Sequence, residues 1–145
     1  MRILGIDYGD CNIGLALSDP LHLTAQPLGQ FRLASEAENS AYFSQLVQRH
    51  EIGEIVVGFP LRMDGSSGTR AQKTRQFAAW LKAAVGLTVT LWDERLTTQQ
   101  AIGIMEEQKI RDKRKKHLEH QISATLILQS YLDHRRLERN VPKNS

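Results

Sequence analysis

Cys11 is the only cysteine in the sequence. That excludes a disulfide within the chain and any zinc site built on clustered thiolates, and it fits a reducing compartment. No apolar run approaches the roughly 18 residues a membrane-crossing helix needs, so no membrane partner is expected. The opening MRILGIDYG has a short apolar stretch that Asp7 interrupts. It does not read as a secretory leader, and a cytoplasmic protein is expected. Lys and Arg number 19 against 16 Asp and Glu. With so small an excess, a polyanionic partner must be argued from where the charges lie. Internal repeats, low-complexity tracts and domain linkers are also missing.

What is present is an ordinary globular composition, 41% hydrophobic and 24% charged over 145 residues, which suits one domain with one core. That domain is expected over residues 1–138, with 139–145 as a disordered tail.

Arg2 to Asp7 alternates and is rich in Ile and Leu, which predicts a strand. Asp10-Cys11-Asn12 reads as a turn, and Ile13 to Ser18 as a second strand closing a hairpin. Asp19-Pro20 breaks that strand. Leu21 to Leu33 predicts a third, interrupted at Pro27. The period then changes. Ser35 suits an N-cap, and Phe43, Leu46 and Val47 recur at helical spacing, predicting a helix to His50. Glu54 to Phe59 is a short continuous apolar run of the kind seen in buried parallel strands. Pro60 to Gly68 is loop-like. Thr69 to Val85 predicts a helix ended by Gly86, Leu87 to Trp92 a further strand, and Thr97 or Thr98 starts a helix to about Gln108. Glu119 to Arg136 is the last helix. Three strands followed by alternating helices and strands give an α/β fold, with a mixed five-stranded sheet flanked by helices.

Four features could carry chemistry. Asp7 ends an apolar strand, and a carboxylate there is costly unless wet, paired or metal-bound. Ile3, Gly5 and Asp7 share a strand face, and Gly5 and Gly9 leave room for a ligand beside it. A plain turn-capping role explains Asp7 equally well. Glu94 follows the Leu87 to Trp92 strand directly, where function gathers in open α/β sheets. Asp93 and Glu94 point to opposite faces, so one of them faces a site, and Arg95 suits either a phosphate or Asp93. Taken alone, a solvated strand end is the blander reading. Lys109, Arg111, Lys113, Arg114, Lys115, Lys116 and His117 form a basic run, with only Asp112 opposing. It is a solvated face or a phosphate clamp. No aromatic residue interleaves it, so stacking on bases is not signalled there. Finally, His120, Ser123, Ala124 and Ile127 share a helix face. Ser123 and Ala124 would let that face approach a neighbour closely, and a neutral imidazole there could ligate a metal.

These residues lie in blocks that carry a family likeness. GIDYG, IGLALSD, VVGFPLRMDGSSG, WDERLTT and SATLILQSYLD, in order from Met1 to about Asp133, resemble the YqgF-type pre-16S rRNA nucleases, a family also described as Holliday junction resolvases. The resemblance implies a ribonuclease H-like fold, a nuclease site using Mg²⁺ or Mn²⁺, and maturation of the 5′ end of small-subunit ribosomal RNA. Its first acid falls on Asp7 and its second on Glu94. Its third, an Asp before a small-residue pair in the last helix, falls on His120. Imidazole suits Mn²⁺ better than Mg²⁺, and the adjacent Glu119 is the alternative third ligand. The family's basic residues after the first acid are replaced here by Cys11 and Asn12.

The implied metal set is thus Asp7, Glu94 and His120. Arg95, Arg70 at the end of the 62–70 loop, Lys113, Arg114, Lys115 and Lys116 are the expected substrate contacts. The implied partners are pre-rRNA or structured DNA and ribosomal precursor particles, with the chain a monomer or homodimer. Three other readings stand beside it: a Holliday junction resolvase acting on DNA, a catalytically weak RNA-binding assembly factor, and an ATPase-like protein whose first hairpin wraps phosphates.

Overall fold

A computed structural model describes residues 1–60, 68–96, 101–103, 106–107 and 118–140. Eight elements follow in order: β1 (Arg2–Tyr8), β2 (Asn12–Ser18), β3 (Ala25–Arg32), α1 (Glu36–His50), β4 (Ile52–Phe59), α2 (Thr69–Val85), β5 (Thr88–Asp93) and α3 (Glu119–Asn140). Residues 101–103 and 106–107, within the helix expected up to Gln108, are helical as well.

The strands form one five-stranded sheet in the order β3-β2-β1-β4-β5. β1 is central, antiparallel to β2 and parallel to β4, and β4 is parallel to β5. The mixed sheet expected from the sequence is therefore the one observed.

Strand alternation sends side chains to two different layers. Leu4 and Ile6 of β1, Ile13 and Leu15 of β2, and Ile55 and Val57 of β4 pack with Phe43 of α1 and Phe77 and Leu81 of α2. Ile3, Ala16 and Val56 face the other way, against Ala124, Ile127, Leu128 and Leu132 of α3. The α1 terminus follows from local chemistry. Ser35 accepts a hydrogen bond from the Glu38 backbone N–H at 3.2 Å, satisfying a donor the helix leaves orphaned.

Several strand ends shift by a residue or two, as in β4 from Ile52 rather than Glu54, and three further differences have a local cause or a longer reach. β3 begins at Ala25 rather than Leu21, because residues 19–24 form a turn around the Asp19 carboxylate. Its Oδ1 accepts from Leu23 N at 2.7 Å and Thr24 N at 2.8 Å, and its Oδ2 from Leu21 N at 3.2 Å. Pro27 stays within β3, opposite Ala16 and next to a register shift in β2, which is where a sheet tolerates a residue with no N–H. α3 runs to Asn140, past Arg136 and into the expected tail. Residues 61–67, 97–100, 104–105, 108–117 and 141–145 lie outside the described residues, and with them most of the loop at 62–70, the start of the third expected helix and the basic run.

Candidate active site

The site is built where α3 crosses the sheet. Gly14 of β2 lies directly under the first turn of α3. A Cβ there would fall 1.8 Å from the His120 carbonyl oxygen, so only glycine lets the helix start sit this low. Gln30 of β3 fixes the same turn from the side. Its Oε1 accepts from the backbone N–H of His120 at 3.1 Å and of Gln121 at 3.3 Å. Together these bring the His120 ring to Asp7, which pairs with Gly14 across the β1–β2 ladder. The space that Gly5 and Gly9 were expected to leave for a ligand is filled by protein. Leu128 and Ala124 of α3 cover Gly5, and the His120 ring covers Gly9.

Asp7 is 8% exposed. Its Oδ2 lies 2.9 Å from His120 Nδ1. An ionised Asp7 accepts the proton on Nδ1, which leaves the lone pair of a neutral ring on Nε2. The plain turn-capping reading of Asp7 does not describe this arrangement.

Glu94 extends the β4–β5 pairing by one step, its N–H donating to the Phe59 carbonyl at 3.3 Å. Its side chain turns in over Gly58, where a Cβ would lie 2.7 Å from Glu94 Oε1 and 2.4 Å from Ile127 Cδ1. Burial pushes the Glu94 carboxyl above its ordinary value. The nearby negative charge of Asp7 pushes it the same way, Arg70 pulls it down, and Asp93 adds a further upward push. The neighbouring Asp93 behaves oppositely. Arg95 grips it with Nε at 3.0 Å from Oδ1 and Nη2 at 2.8 Å from Oδ2, and this pairing with Arg95 holds the Asp93 carboxyl low despite some burial. Asp93 and Glu94 thus divide as strand alternation requires.

Asp7, Glu94, His120, Glu119 and Arg70 line one cleft of about 500 Å³. Arg70 stands at the start of α2 and donates from Nη2 to the Tyr8 carbonyl at 3.3 Å. Arg95 does not line this cleft, and its guanidinium is engaged with Asp93. Lys113, Arg114, Lys115 and Lys116 lie outside the described residues. Among the described residues, no group of three or more His, Cys, Asp or Glu is placed to hold a metal ion. Asp7 and Glu94 nevertheless share this cleft, and burial followed by the charge of Asp7 raises the proton affinity of Glu94, a repulsion that a divalent cation between two carboxylates would relieve. The sequence reading did not single out Gln30, Trp92 or Ser130. Trp92 could have been found two residues before Glu94 on the same strand face, and Ser130 three turns beyond His120. Gln30 carries no signal of its own in the sequence.

A central β1 flanked by one antiparallel and one parallel neighbour, with acids at the carboxyl ends of β1 and β5 and a helix laid across them, defines a ribonuclease H-like protein. The chain belongs to the RuvX family, described as Holliday junction resolvase, whose model matches residues 1–134. A Moorella thermoacetica protein named "Putative pre-16S rRNA nuclease" is 46% identical over 133 residues, covering 92% of this chain and 95% of its own. A Koribacter versatilis protein of the same name is 40% identical over 144 residues, covering 99% and 94%. Among solved structures, Thermus thermophilus RuvC superposes with a TM-score of 0.60 at 17% identity, covering 95% of this chain and 97% of that one. The yeast mitochondrial Holliday junction resolvase gives 0.54 at 11%, covering 95% and 80%. At such identities these two speak for the fold alone. No described helix is long and apolar enough to cross a membrane.

Proposed function

We propose that the chain is a divalent-metal nuclease that hydrolyses phosphodiester bonds in structured RNA, acting on the 5′ end of pre-16S ribosomal RNA. One observation carries this reading: Asp7 and Glu94, far apart in sequence, line one cleft with His120, where burial and then the charge of Asp7 raise the proton affinity of Glu94. The RNA substrate rests on the names of the relatives at 40% and 46% identity.

In this proposal Asp7 and Glu94 would hold the cation, and His120, whose Nδ1 lies 2.9 Å from Asp7 Oδ2, would position the Asp7 carboxylate rather than ligate the same ion through Nε2. Hard carboxylate oxygens suit Mg²⁺ or Mn²⁺. Such a cation, when bound, supplies positive charge against phosphoryl oxygens as they become more negative. Arg70 holds a substrate phosphate at the rim of the cleft. Lys113, Arg114, Lys115 and Lys116 add salt-sensitive contacts to neighbouring phosphates. Arg95 orders Asp93, so its contribution to substrate binding is smaller than the sequence suggested.

A cleavage assay with Mg²⁺ or Mn²⁺ on structured RNA and on branched DNA, comparing wild type with Asp7→Asn, tests the reading. Loss of RNA cutting by about a hundredfold or more is expected, and equal cutting by both proteins refutes it. The family description favours one second reading, resolution of Holliday junctions. Paired symmetric cuts in branched DNA by a homodimer, with structured RNA left intact, would put that reading first.

A further inference from the structure

The cleft holding Asp7 has a neighbour on the opposite face of the sheet. Strand alternation sends the Asp7 side chain toward α3 and the next one, Tyr8, toward α1 and α2. Tyr8 lines a second cleft, of about 580 Å³, together with Asp10, Glu36, Lys73, Phe77 and Trp80. Leu33 and Ala34, just past the end of β3, line it as well. β1 and β3 run the same way, both antiparallel to β2. Both clefts therefore open at the carboxyl edge of the sheet, where ligands gather in α/β folds. α2 links them. Its Arg70 lines the first cleft and donates to the Tyr8 carbonyl at 3.3 Å, and Lys73, three residues on, lines the second. This helix carries Arg70, Lys73, Arg75 and Lys82 and no acid, so a phosphate backbone crossing between the clefts would meet only cations on it.

The second cleft is built differently from the first, on a wall of rings. Tyr8 stacks on Phe77 at 4.6 Å, and Phe77 lies 6.0 Å from Trp80. Tyr8 and Trp80 are only half-buried, which leaves ring surface open to a ligand. The indole is held in place, its Nε1 donating to Glu36 Oε1 at 3.0 Å. Asp10, Glu36 and Lys73 are exposed, and the side chains of Asp10 and Lys73 make no hydrogen bond or ion pair among the described residues. Two carboxylates against one ammonium disfavour a phosphate inside this cleft. A flat group bearing amino donors satisfies both the rings and the carboxylates.

We propose that the second cleft is a nucleobase pocket, in which a base flanking the cleaved phosphate packs against Tyr8 and Trp80 and donates its amino group to Asp10. Arg70 and Lys73 hold the phosphates that lead to it. Carboxylates accept from the amino group of cytosine in nucleic-acid recognition, and single-stranded RNA is read by stacking together with contacts to base edges. The proposal rests on the nuclease reading for its ligand class and adds to it a preference for an amino-bearing base.

The test measures binding of fluorescein-labelled eight-nucleotide RNAs to the full chain by anisotropy, with metal chelated. Each position in turn carries cytosine or uracil, guanine or hypoxanthine, and adenine or purine, pairs in which only the first member has the amino group. Asp10→Asn replaces an accepting oxygen by a donating amide, and Lys73→Gln removes a cation. Melting curves confirm that both variants are folded. Wild type should favour the amino-bearing member of a pair at one position by about tenfold, the worth of a hydrogen bond to a charged group. Asp10→Asn should remove that preference, whereas Lys73→Gln should keep it and weaken every RNA alike. Absence of binding, binding with no such preference at any position, or a preference that survives in Asp10→Asn would overturn the proposal. Failure of the nuclease reading would show separately, as RNA cutting that Asp7→Asn leaves unchanged.

Discussion

The two faces of the sheet are packed on different plans. The face under α1 and α2 is closed by large rings. Phe43 and Phe77 lie 6.0 Å apart, Tyr8 stacks on Phe77 at 4.6 Å, and Phe43 meets Trp80 at 6.4 Å. The face under α3 has no aromatic ring among its fully buried residues, mixing Ala16, Ala25 and Ala124 with Ile3, Val56, Ile127, Leu128 and Leu132, and it carries nearly all the buried polar groups among the described residues. Asp7, Ser18, Thr125, Gln129, Ser130 and Asp133 belong to it, against Thr74 alone on α2 among the described residues. Gln129 shows how such groups are satisfied, taking Ala25 N–H at 2.8 Å and donating to Leu23 O at 3.1 Å and Asp133 Oδ1 at 2.9 Å. One face supplies area removed from water, the main stabilising term. The other accepts thinner packing so that a helix can come close enough to hold carboxylates and an imidazole in one cleft.

Substitutions can break this division. Phe43→Ala should have the largest effect on stability, about 3–5 kcal/mol, read by urea denaturation, while the folded fraction keeps its cutting rate per molecule. Gly14→Ala should cost about 2–3 kcal/mol, because the new methyl group must displace the start of α3. Its cutting should fall further than its folded fraction, since that turn carries His120. Equal rates per folded molecule for the two variants would remove the distinction between the faces.

Glu94→Gln sharpens the contrast with a smaller effect of opposite sign. Burial and the charge of Asp7 raise the Glu94 carboxyl above its ordinary 4.5, so the fold prefers its neutral form. Stability from that preference is complete below 4.5 and is lost as pH rises through the raised value. Above that raised value the ionised Glu94 costs the fold stability. Removing the charge should raise Tm by roughly 1–4 °C while abolishing cutting, and the gain should vanish in acid below the ordinary carboxyl range. A lower Tm at neutral pH would mean that Glu94 is placed for structure rather than chemistry.

Smallest is a spectroscopic effect at Tyr131, whose hydroxyl is pushed up to about 12 by burial and by its bond to Glu54. The fold keeps this proton, so stability from the Glu54 pair is lost only as pH rises through about 12. Phenolate absorbance should show one late tyrosine, and Glu54→Gln should bring it earlier.

Much of this was legible in the sequence where one local signal decides the outcome. Thr69 to Val85 is a helix as read, because its stripe is continuous and Gly86 takes the left-handed cap at φ 70°. Asp7 and Glu94 could be picked out because each ends a strand whose apolar run is unmistakable. Legibility failed where distant partners decide. Residues 19–24 carry two leucines in a strand-like run, yet the Asp19 carboxylate draws their backbone into a turn. Glycines in β1 mark a close approach without saying of what, and α3 rather than a ligand covers Gly5. The His120–Asp7 contact joins residues 113 positions apart, and no local period encodes it. Arg95 had two suitors, and only coordinates reveal that Asp93 holds it.

The account is tested most directly by Mn²⁺ titration calorimetry on wild type, Asp7→Asn and Glu94→Gln. The account predicts one binding event in wild type that either substitution alone removes. Mn²⁺ bound equally by all three proteins would contradict it.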